Sequence, residues 1–111
     1  MTDDEALALA VRLVACKHFR PMPGMRDLQG RTWTPDLIWR WNRTIDRPDL
    51  RDPATLGCLL ALVREAHACD FLHLSYRLAD DTIRFACFHH GPMPWVESEA
   101  EALVAALEAA P

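Results

Sequence analysis

The stretch Thr34-Pro35-Asp36-Leu37-Ile38-Trp39-Arg40-Trp41-Asn42 decides how this chain is read as a fold. Leu37, Trp39 and Trp41 alternate with Arg40 and Asn42. A period of two places successive side chains on opposite faces, so the pattern predicts a strand with one apolar and one polar side. A shorter strand over residues 25–28, or extending to 33, would pair with it. The turn would fall at Gln29-Gly30 or at Thr34-Pro35-Asp36, whose residue types suit bends.

On the N-terminal side, residues 3–18 carry Leu7, Ala10, Val11, Val14 and His18 at helical spacing, with Leu9 and Leu13 widening the stripe. Thr2 caps this helix, and Glu5 three residues on completes a capping box. Pro21, Pro23 and Gly24 stop it, because proline fixes φ and removes a donor. On the C-terminal side, Asp52-Pro53 supplies an N-cap and a proline at the first helical position. Leu56, Leu59, Leu60, Val63 and His67 then fall on one face. Residues 71–78 alternate Leu72, Leu74, Tyr76 and Leu78 against His73, Ser75 and Arg77. Ile83, Phe85 and Cys87 repeat the alternation after Ala79-Asp80-Asp81, which predicts a hairpin. Gly91, Pro92 and Pro94 end it. Ser98 with Glu101 starts a last helix whose stripe is Ala100, Leu103, Val104 and Leu107.

The element order is therefore α-β-β-α-β-β-α. Each expected strand has one apolar side, so the pattern predicts an α+β domain over residues 1–111, an antiparallel sheet of about four strands with helices packed on one face. With 111 residues, 50% of them apolar, the chain has enough material for one core and not for two.

The net charge of −4 hides a division. Residues 1–16 sum to −2, residues 17–51 to +4 and residues 52–111 to −6, so a basic middle lies between acidic flanks. The overall acidity argues against non-specific nucleic-acid binding by the whole surface. No run reaches the roughly 18 apolar residues of a membrane span. The acidic start is not that of a secretory signal, so the reading is cytoplasmic, with Cys16, Cys58, Cys69 and Cys87 as buried thiols rather than disulfides.

Three stretches carry a resemblance: residues 13–19 with Met22-Pro23-Gly24-Met25, residues 52–66 and residues 99–107. They look like segments of an uncharacterised group of small phage- and prophage-encoded bacterial proteins. That resemblance implies a mobile-element gene expressed in a bacterial host cytoplasm, and it brings no catalytic residues with it.

Chemical motifs are sparse. Cys16 with His18 would diverge around a helix; Cys87 with His89 would share a strand face as a two-ligand half-site, with His90 to spare, and Cys69 with His73 make another loose pair, but none has structural-zinc spacing and no metal or cofactor is expected. With four glycines there is no phosphate-cradling loop, and Ser98 is used as a cap. The densest functional signal is the tryptophans and arginines of residues 31–51, the residue types that dominate binding hot spots. Trp39 and Trp41 read as core on the Leu37 face, leaving Trp33 with Arg40, Arg43 and Arg47 outside; Arg77 and Arg84 would extend the surface across the sheet. The expected function is non-enzymatic binding of an unknown protein partner, or self-association, through Trp33, Arg40, Arg43, Arg47, Arg77 and Arg84. Nucleic-acid binding along Arg40, Arg43, Arg77 and Arg84, with Phe88 stacking bases, is the second reading. A metal- or histidine-dependent hydrolase using His89-His90 is the third.

Overall fold

Local capping chemistry fixes where the helices begin. Thr2, Asp52 and Ser98 each accept a hydrogen bond from the backbone N–H three residues on, at 3.2, 3.0 and 3.1 Å. A computed structural model describes residues 1–89 and 93–111 and arranges them as α1 (Asp3–Ala15), α2 (Pro35–Trp39), α3 (Pro53–Ala66), β1 (His73–Ala79), β2 (Thr82–Phe88) and α4 (Glu99–Glu108). The class is α+β. The expected breaker residues Gly91 and Pro92, and His90, lie outside the described residues.

Helix α4 is the centre of the molecule, packing against α1, α3 and both strands. It can do so because Ala100, Ala102 and Ala106 are small enough for neighbours to approach closely, while Leu103, Val104 and Leu107 fill the space between them; all six are buried. Leu13 of α1, Leu59, Leu62 and Val63 of α3, and Leu72 and Cys87 of the hairpin complete the core. The Cys87 thiol donates to the Ala102 carbonyl at 3.7 Å. Among the described residues no helix is long and apolar enough to cross a membrane.

The expected hairpin is present, and its register runs from His73 opposite Phe88 to Ala79 opposite Thr82, so Ala79 belongs to the strand and not to the turn. Asp80 and Asp81 both take positive φ, 52° and 60°, the mirror-image turn that matches strand twist. Val96 bridges Phe85 on the far side of β2.

Four expectations need correction. The sheet has two strands among the described residues, not about four, and the order α-β-β-α-β-β-α gives way to three helices, a hairpin and a helix. The deciding stretch is helical because Thr34 caps it, accepting from the Leu37 N–H at 3.3 Å, and Pro35 occupies the first turn. Before it, residues 25–33 form only a tight loop: Gly30 turns at φ 86°, Arg26 bridges Thr32 and Asp27 bridges Pro48.

Second, α1 ends at Ala15 rather than His18, with Cys16 already extended at ψ 133°. Its buried stripe is Ala6, Leu9, Ala10, Leu13 and Val14, which leaves Leu7 and Val11 exposed. A helix apolar around more than half its circumference can bury only the part its neighbours cover.

Third, Trp33 and Trp39 exchange roles. Trp33 is 3% exposed and Trp39 is 89% exposed, because the helical geometry of α2 turns Trp39 away from Ile38 and Trp41, the residues packed against the core. Fourth, the polar side of the sheet is partly covered from within the chain. The Trp95 ring lies under the Arg77 guanidinium at 4.5 Å and edge-on to Phe88 at 5.8 Å, spanning the position of buried Ala86, and Phe88 stacks on His73.

Candidate functional site

Residues 26–47 have little regular structure, so their backbone groups need other partners. One buried carboxylate supplies them. Asp27 accepts from the backbone N–H groups of Gln29 and Arg31 at 3.0 and 2.9 Å, from Arg31 Nε at 2.9 Å and from Trp33 Nε1 at 3.1 Å. Burial pushes this carboxyl up, but the hydrogen bonds from Arg31 and Trp33 outweigh it and hold Asp27 below the ordinary aspartate value. Arg31 continues the network to Asp46 at 2.8 Å, and Asp46 in turn accepts from the Asn42 N–H and, through its carbonyl, from the Trp41 indole. Thr55, at the start of α3, ties the loop to the helices by accepting from the Arg26 N–H at 2.8 Å.

This scaffold accounts for most of the residues assigned to a binding surface. Trp33 is a core side chain packed against Trp41 at 6.3 Å. Arg40 is held by Asp36 at 2.7 Å and Arg84 by Glu97 at 3.3 Å, while Arg77 sits on Trp95. The expected stripe of Arg40, Arg43, Arg77 and Arg84 on one sheet face does not exist, since Arg40 caps the end of α2 and Arg43 lies in the loop after it. A pocket of about 220 Å³ lined by Arg31, Trp33, Leu37, Arg40, Trp41 and Asp46 is charge-balanced, because both arginines already face carboxylates.

The remaining two, Arg43 and Arg47, have no ion pair among the described residues. The structure brings them together beside α1. With Val11, Val14, Ala15 and Thr44 they line a shallow groove of about 200 Å³, and Arg47 also borders a second of about 190 Å³ with Leu7, Leu28, Gln29, Ile45 and Asp27, whose carboxylate is already held by Arg31 and Trp33. Leu7, Val11 and Ile45 are exposed there.

No known family, curated protein or solved structure matches this chain.

The histidines outside this face serve packing contacts. His18 Nε2 lies 3.3 Å from the Ala110 carbonyl, His67 Nε2 lies 2.7 Å from that of Ala106, and the His67 and His89 rings are 5.0 Å apart. Among the described residues no three His, Cys, Asp or Glu side chains converge as metal ligands would. His90, the other half of the suggested proton-transfer pair, lies outside the described residues. Sequence reasoning missed Leu7, Val11 and Ile45. The available signal was the excess of apolar residues in α1, more than one buried stripe can hold.

Proposed function

We propose that this is a non-enzymatic accessory protein that binds another protein through the outer face of α1 and residues 43–47. The observation that carries the reading is the placement of Arg43 and Arg47, without carboxylate partners among the described residues, beside exposed Leu7, Val11 and Ile45. An apolar strip flanked by forked cations fits a partner segment with an apolar ridge and carboxylates at its margin. Origin in a phage or prophage, suggested by the likeness of the α1, α3 and α4 segments to such proteins, is part of the proposal. Nucleic-acid binding has less support, because Arg77 and Arg84 are engaged with Trp95 and Glu97.

The test compares the wild type with a Val11→Glu, Arg43→Glu, Arg47→Glu variant whose fold is checked by circular dichroism. Cross-linked partners are identified by mass spectrometry, purified and titrated by calorimetry. The expected result is a saturable, salt-sensitive complex with one protein that the variant loses by at least tenfold in Kd. Equal affinity for the variant, or binding only to nucleic acid, would overturn the proposal.

A further inference from the structure

Among the described residues strand β1 is paired on one side only. β2 takes one edge, and the far edge of β2 is itself closed by Val96, which exchanges both backbone hydrogen bonds with Phe85 at 2.8 Å. Among the described residues nothing bridges the outer edge of β1. The turn determines which groups stand there. A two-residue turn with Asp80 and Asp81 left-handed closes on Ala79 and Thr82 as a hydrogen-bonded pair. Alternation along the ladder then directs the backbone groups of His73, Ser75 and Arg77 to β2 and those of Leu74, Tyr76 and Leu78 outward. The same three residues share the apolar side of the hairpin, opposite Cys87, Phe85 and Ile83. Near the base this side enters the core, but towards the turn it projects beyond it: Tyr76 is 72%, Leu78 71% and Ile83 52% exposed.

We propose that this edge joins two copies of the chain, β1 pairing antiparallel with β1 of the second copy about a two-fold axis at Tyr76. This register is self-complementary, as an axis of that kind requires. Tyr76 faces Tyr76 of the second copy and Leu74 faces Leu78, so all outward backbone groups meet outward groups and the apolar side chains form one continuous face. Arg77 faces Ser75, which keeps like charges from standing directly opposite. Charge also fits at the ends. Asp80 falls opposite Leu72 of the second copy, and the Leu72 carbonyl is held at 2.7 Å by Nε of Arg64, a guanidinium with no ion pair among the described residues. The turn carboxylates of each copy therefore arrive beside Arg64 of the other. Such an edge contact stays below about 1,200 Å², the size of weak reversible associations, so the expected Kd is on the order of 10 μM. The surface is separate from the α1 face, and either proposal can fail without the other.

Sedimentation velocity of the full chain from about 1 to 300 μM reads the mass directly. The wild type should pass from monomer to dimer across that range. Leu78→Lys, which puts a charge on the exposed edge, should raise Kd at least tenfold with an unchanged circular dichroism spectrum. Asp80→Lys with Asp81→Lys should do the same, and mixing that variant with Arg64→Glu should restore dimers that neither forms alone. A wild type that remains monomeric at 300 μM would overturn the proposal, as would a dimer unaffected by Leu78→Lys or one abolished by Val11→Glu.

Discussion

The indole N–H of Trp33 donates to the carboxylate of Asp27 at 3.1 Å, and both side chains are buried. This contact organises the irregular third of the chain, because the same carboxylate receives two backbone N–H groups and a guanidinium. Replacing Asp27 by Asn keeps the volume but removes the charge and turns one acceptor into a donor. A loss of about 2–3 kcal/mol is expected from urea unfolding at pH 7. The acid limb gives a second readout. The folded carboxyl titrates below its ordinary value of 3.8, so its contribution is complete above that value and disappears as pH falls through the lower folded value. The wild type should therefore lose stability more steeply in acid than Asp27→Asn, and equal acid limbs would count against the network.

Trp33 and Trp39 differ by six positions and by nearly their whole exposure. Trp33→Ala should cost about 3–5 kcal/mol, the range for an emptied core site. Trp39→Ala, at the exposed end of α2, should stay within about 0.5 kcal/mol. Comparable losses for the two variants would contradict the assignment of core and surface.

Helix α3 is closed off by Ala68, two residues beyond its end, at φ 50°, where the Ala68 N–H reaches the Glu65 carbonyl and the Cys69 N–H the Arg64 carbonyl at 2.9 Å. This is the paired hydrogen-bond ending in which glycine is favoured, since an L side chain is strained there. Ala68→Gly should raise stability by about 0.5–1 kcal/mol, measured as a higher urea midpoint with unchanged slope. A lower midpoint would mean that the alanine methyl contributes packing that outweighs the strain.

Burial pushes the Cys87 thiol up to about 11. Thiolate is the reactive form, so brief iodoacetamide treatment at pH 8 should leave Cys87 unmodified until urea unfolds the chain. Folding favours the protonated thiol, so this contribution is intact below the ordinary value of 9.0 and declines as pH rises towards 11. Peptide mapping that finds Cys87 modified in the folded protein would refute the placement.

The hairpin and the starts of α1, α3 and α4 were legible because each depends on residues within a few positions of one another. Thr34-Pro35 carries the same cap-and-proline signature as Asp52-Pro53, yet alternation over Leu37, Trp39 and Trp41 favoured a strand reading. In a segment of five helical residues, side-chain period is a weak discriminator and the capping hydrogen bond decides. The candidate site was legible only in part: Arg43 and Arg47 reach the proposed face, while Arg40, Arg77 and Arg84 are absorbed by Asp36, Trp95 and Glu97.

The sequence by itself determined the class, the starts of α1, α3 and α4 and the antiparallel hairpin, since caps, proline positions and side-chain period act over a turn of backbone. Only the tertiary structure decided which stripe of α1 is covered, which tryptophan is core and which arginines lack a carboxylate partner among the described residues. Those outcomes depend on partners far away along the chain, such as Thr55 for the Arg26 N–H and Glu108 for Arg12. Burial is a property of what packs on a side chain, and no local pattern in α1 records that its neighbours cover the Ala6 and Ala10 side rather than the Leu7 and Val11 side.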